Sequence, residues 1–112
     1  MNASKSFKNK DELQTFMDND LEWMYNRIFT AITEAMRLGY DEAQILDAKI
    51  EEDFSTFTIT SPAEDWVNSL TLCITWFEKN EEYEKCSTIL ELIDRIKTEY
   101  DWLHGSEQTD IQ

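Results

Sequence analysis

Proline occurs once in this 112-residue chain and glycine twice. So few breakers favour long helices over a many-turned β architecture. Histidine occurs once, as His104, and cysteine twice, as Cys73 and Cys86. Neither number supports a disulfide framework, and the spacing of the three residues matches no zinc pattern. No metal and no cofactor are expected. No stretch approaches the roughly 20 apolar residues that span a bilayer, and the opening MNASKSFKNK lacks the apolar core of a secretory leader. A cytoplasmic protein with reduced cysteines is the expectation.

Basic residues are also scarce, with 10 Lys and Arg against 24 Asp and Glu, for a net charge of −14. The imbalance is confined to one part of the chain. Residues 1–40 carry 5 basic and 6 acidic side chains, whereas residues 41–112 carry 5 and 18. Charge of this sign argues against direct binding to nucleic acid or to an anionic membrane, and for a basic partner. The 41% hydrophobic content, with 4 Trp, 4 Tyr and 6 Phe, separates the chain from disordered acidic tails, which are poor in aromatics. One helical domain over residues 1–105 and a polar, acidic, disordered tail over 106–112 are expected.

Four helices are read from the periodicity, over 10–38, 42–53, 62–79 and 81–104. The first opens on an Asn9–Glu12 capping box and carries Leu13, Met17, Leu21, Met24, Ile28, Ala31, Ala35 and Leu38 at alternating spacings of three and four. Asp18, Asn19 and Asp20 are weak helix formers that mark a kink or break. Gly39 is placed to end the helix in the left-handed conformation. Asp41 and Gln44 read as the cap of the second helix, with Ile45, Leu46, Ile50 and Phe54 on its apolar side. Ser61, Pro62 and Glu64 read as the start of the third, whose Trp66, Val67, Leu70, Leu72, Cys73, Ile74, Trp76 and Phe77 run almost all the way round. FSTFTIT, near 55–60, is the one stretch with strand character. It is expected to lie extended over the bundle or to pair with another chain.

The fold class expected is therefore all-α: a compact four-helix bundle, with an αα-hairpin in the C-terminal half and a short extended segment. Its core is expected to hold Met24, Ile28, Ile32, Leu46, Ile50, Leu70, Cys73, Phe77, Cys86, Leu90 and Ile93. The double apolar stripe of the first helix predicts a homodimer formed through it.

No nucleophile elbow, glycine-rich phosphate loop or HExxH motif occurs, and no catalytic residue is expected. The alternative is enzymatic. Glu78-x-x-Glu81 and Glu91-x-x-Asp94 resemble the ExxE and ExxD pairs with which MazG-like nucleotide pyrophosphohydrolases hold magnesium. That resemblance implies a magnesium-dependent hydrolase with carboxylates shared across a dimer. Trp76 and Phe77 stand where the family has a further glutamate.

The remaining feature is a set of acidic clusters: Glu51, Glu52 and Asp53; Glu64 and Asp65; Glu78, Glu81, Glu82 and Glu84; then Glu99 and Asp101. An exposed aromatic beside them would anchor a partner, and Trp102, Trp23 and Trp76 are the candidates. The expected function is a non-catalytic, acidic protein–protein interaction module that binds a basic protein surface, as a small inhibitor or adaptor. A nucleic-acid mimic of the sort phages encode is its concrete form.

Overall fold

A computed structural model describes residues 3–100 of the chain. It is a mixed α/β structure with a three-stranded sheet and four helices, and it divides into two compact units, Met1–Pro62 and Ala63–Gln112. The all-α four-helix bundle is thus overturned. Residues 42–53, read as a helix, form a strand and a turn.

The first unit runs β1 (Ser4–Phe7), α1 (Lys10–Asn19), α2 (Leu21–Leu38), β2 (Glu42–Ile50) and β3 (Ser55–Pro62). β2 is central, parallel to β1 and antiparallel to β3. The two helices make the long crossover that parallel strands require. Strand β3 forces the sheet. FSTFTIT cannot satisfy its own backbone groups, and the tight turn over residues 51–54 brings residues 42–50 beside it. In that register Leu46, Ala48 and Ile50 face the core, while Lys49 faces solvent. The opening segment pairs by the same logic: Asp47 N–H donates to the Ala3 carbonyl at 2.8 Å and Glu51 N–H to that of Phe7 at 2.8 Å.

One irregularity sets what β2 buries. The ladder pairs Gln44 with Thr60 and Leu46 with Ile59, so Ile45 is an extra residue, a β-bulge. A bulge re-aims side chains, and here both Ile45 and Leu46 are buried although they are consecutive.

The long first helix breaks at Asp20, which ends α1 and precedes α2. The Asn9 side chain accepts from Glu12 N–H at 2.9 Å, as the capping pattern predicts, while Glu12 reaches back to Lys8 N–H rather than to that of Asn9. The break folds α1 onto β1, with Phe16 5.5 Å from Phe7 and 5.2 Å from Trp23 between ring centroids. The continuous stripe that argued for a homodimer is therefore two shorter ones. Gly39, at φ 75°, ends α2; its N–H donates to Met36 and that of Tyr40 to Ala35, as expected of a left-handed cap.

The second unit is an αα-hairpin. A single 3₁₀ turn (Ala63–Asp65) precedes α3 (Trp66–Lys79), and α4 (Tyr83–Glu99) follows. The helix expected to start at Pro62 starts at Trp66, because Ser61 and Pro62 finish β3. Proline is tolerated there, at the end of an outer strand. Trp66, Leu70, Cys73 and Phe77 are buried on α3, and Cys86, Ile89, Leu92, Ile93 and Ile96 on α4. The Trp66 ring stands edge-on to Tyr100 at 5.2 Å. Leu72, on the helix expected to be apolar all round, is 59% exposed, and α3 is amphipathic. Of the expected core, Ile32, Leu46, Ile50, Leu70, Cys73, Phe77, Cys86 and Ile93 are buried. Leu90 is 55% exposed, and Met24 and Ile28 are half-buried.

Candidate interaction surfaces

The acidic clusters lie on turns and helix ends because turns tolerate charge and cores do not. No charged side chain among the described residues is buried. In the first unit, Glu51, Glu52 and Asp53 form the exposed turn between β2 and β3. Asp53 also braces that turn, since its carboxylate accepts from the Ser55 hydroxyl and from Ser55 N–H at 3.0 Å. The hydroxyl bond first, then the backbone bond, holds this carboxyl below its ordinary range, so the turn keeps that charge in mild acid.

In the second unit, Glu64 and Asp65 are exposed in the 3₁₀ turn, at the start of α3. Glu78, Glu81, Glu82 and Glu84 gather around the hairpin turn at its other end. Trp66 to Phe77 carry no charge, so about 20 Å of helix separates the two groups. The hairpin cluster includes cations: Lys85 pairs with Glu82 at 2.9 Å, and its ammonium lies 4.9 Å from the Phe77 ring centroid. Within this unit the acids form separate patches, not a ladder at phosphate spacing.

Two turns place non-glycine residues in the left-handed region. Glu81, at φ 59°, closes the C-terminus of α3, where Glu82 N–H donates to the Phe77 carbonyl at 2.8 Å and Glu81 N–H to that of Glu78 at 3.1 Å. Phe54, at φ 58°, follows the acidic turn of the first unit and is 93% exposed. A bulky residue with positive φ and an unburied ring is uncommon. Helical periodicity places Phe54 on a buried side, and the strand pairing overturns that placement. The signal that identifies it is the acidic run Glu51–Asp53 directly before a β-favouring stretch, which marks a hairpin turn.

The tryptophans lie elsewhere. Trp66 is fully buried, Trp76 half-buried, and Trp23 half-buried under the Lys5 ammonium, 5.0 Å from its ring. Trp102, His104 and the expected 106–112 tail lie outside the described residues. An open groove of about 490 Å³ runs beside α2, lined by Arg27, Glu34, Tyr40, Glu42 and Gln44 among others. Its one arginine is engaged by backbone: Arg27 donates to the carbonyls of Ile45 and Gln44.

The four carboxylates of the magnesium alternative do not converge within the chain. Glu78 lies in the last turn of α3 and Glu81 in the turn that follows, while Glu91 is about 12 Å of helix rise beyond the start of α4. Among the described residues, no three Asp, Glu, His or Cys side chains gather as metal ligands would. A shared site would require a second chain.

Comparisons with family models, curated proteins and solved structures find no match. Among the described residues, no helix is long and apolar enough to cross a membrane.

Proposed function

We propose that this protein is a non-catalytic interaction module that binds a basic protein surface and acts on that partner as a small inhibitor or adaptor. The observation that carries the reading is that every described carboxylate keeps contact with solvent in a chain of net charge −14. Carboxylates serving the core or a buried ion pair would be lost to a partner. The clustered ones remain presented at turns and helix ends, and 24 acids outnumber the 10 bases that could pair with them. Long-range attraction of this kind steers a basic partner into contact, and desolvated contacts at short range then fix it. Within the second unit, the separated patches favour discrete contacts with a basic surface over a continuous imitation of a nucleic-acid backbone.

Affinity capture from the cells that produce the protein tests this. The wild-type chain is expected to retain a basic protein that elutes as salt rises. A variant with Glu51, Glu52, Glu64, Glu78, Glu81, Glu82 and Glu84 changed to Gln, and Asp53 and Asp65 to Asn, is expected to lose it. Equal retention by both chains would refute the reading.

A further inference from the structure

Strand β3 is an outer strand of the sheet, and among the described residues β2 is the one strand it pairs with. An eight-residue outer strand normally carries a device that blocks pairing with another chain, such as a lysine, an inward charge, a bulge or a central proline. β3 has none of these. Ser55–Pro62 holds no charged residue in a chain of which 30% is charged, its proline is its last residue, and the bulge lies in β2. The opposite edge, β1, has four residues and carries Lys5.

Acids outnumber bases at both ends of this uncharged edge, and the Lys10 ammonium lies 5.4 Å from the Phe57 ring centroid. Glu51, Glu52 and Asp53 precede it, and Glu42, with Asp41 before it, stands across from Pro62 in the β2–β3 register. All five are exposed. Phe54 stands at the start of the edge, 93% exposed and in a backbone conformation unfavourable for its side chain. It also walls a shallow cavity of about 290 Å³ that lies over the face of the sheet, along the cross-strand row of Ser6, Lys49 and Thr56.

These charges select the occupant. A second copy paired antiparallel about Thr58 would set its Glu51–Asp53 turn at the Pro62 end of the edge, one strand away from Glu42, and a parallel copy would set like turns side by side. Either pairing opposes carboxylates in a chain of charge −14. Resting on the function proposed above, we infer that β3 is a strand-addition edge. It receives an extended segment of the basic partner, uncharged in its middle and with lysine or arginine at both ends. Backbone hydrogen bonds supply the affinity, the flanking charges set position, and Phe54 covers an apolar side chain of the incoming strand.

The probe is a synthetic peptide with a lysine pair at each end and, between them, an alternating valine–threonine stretch as long as β3. Binding to the full chain is expected to slow hydrogen exchange in the β3 amides that face away from β2. Methylating the outward amides of the peptide, which removes donors and keeps charge, is expected to weaken binding about tenfold or more, as is replacing the lysines by glutamates. Phe54→Gly is expected to weaken binding similarly without lowering the unfolding midpoint, since glycine adopts the positive φ freely. Peptide binding that leaves exchange in β3 unchanged, or that tolerates both methylation and Phe54→Gly, would overturn strand addition and leave the electrostatic reading standing. No binding of the lysine-flanked peptide would overturn strand addition as well. Failure of the capture experiment above, by contrast, removes the basic partner itself.

Discussion

Arg27 on α2 donates from Nε to the carbonyl of Ile45 at 2.7 Å and from Nη2 to that of Gln44 at 2.9 Å, at the point where β2 carries its extra residue. A bulge disrupts the ladder locally, and a guanidinium is the side chain whose planar fork can serve two neighbouring acceptors. The contact ties the helix to the irregular part of the strand. Arg27→Ala is expected to cost about 1.5–3 kcal/mol, the range for hydrogen bonds to a charged group. Arg27→Lys should recover part of it. Urea unfolding measures both, and a loss below about 0.5 kcal/mol would show that the clamp is incidental.

In the second unit, burial separates two leucines that periodicity treats alike. Leu70 is fully buried and Leu90 is 55% exposed. Leu70→Ala is expected to cost about 2–5 kcal/mol and Leu90→Ala under about 1 kcal/mol. Equal losses would mean that α4 presents a different face.

The helical hairpin, the Gly39 cap and the Asn9 cap were legible because each depends on neighbours within a few residues. The sheet was not. Leu46 and Ile50 are four residues apart, a spacing that shares one face in a helix and in a strand alike, so this pair cannot tell the two apart. The discriminating signal is the alternation of Leu46, Ala48 and Ile50 with Asp47 and Lys49, and the bulge at Ile45 hides its beginning. What decides the segment is non-local: β3 across a turn and Arg27 from eighteen residues earlier. Such tertiary contacts override helix propensity, which is a weak prior. At the surface, the acidic clusters were legible from composition. Phe54 was missed with the strand that positions it.

Glu81 closes α3 with φ 59°, a role that glycine fills without steric cost. Glu81→Gly is expected to stabilise the protein by about 1 kcal/mol. A thermal melt checks this. A fall in midpoint would mean that the Glu81 side chain contributes more than its backbone conformation costs.

Burial pushes the Cys73 thiol up to about 12. Cys86 is raised as well, by desolvation first and then by the charge of Glu78. The unfolded chain ionises its thiols near about 8.5, whereas in the folded chain Cys73 ionises only near about 12 and Cys86 is shifted in the same direction. The stability tied to the protonated thiols is therefore complete below about 8.5 and is lost as pH rises toward the folded value. Both cysteines should resist alkylation in the folded protein at pH near about 8.5 and label fully in denaturant. Rapid labelling of Cys73 without denaturant would contradict its burial.

The central claim is that particular carboxylates bind a partner, beyond keeping the chain dissolved. Neutralising equal numbers of carboxylates in two sets tests it most directly. One set is Glu51, Glu52, Glu78, Glu81 and Glu84, and the other is Asp11, Asp20, Glu22, Glu91 and Asp94, which are also exposed. The quantity to measure is the salt concentration at which the captured partner elutes from each variant. Elution at lower salt for the first set, with the second close to wild type, is the expected result. The same shift for both sets would reduce the acidic clusters to a general charge effect and contradict the claim.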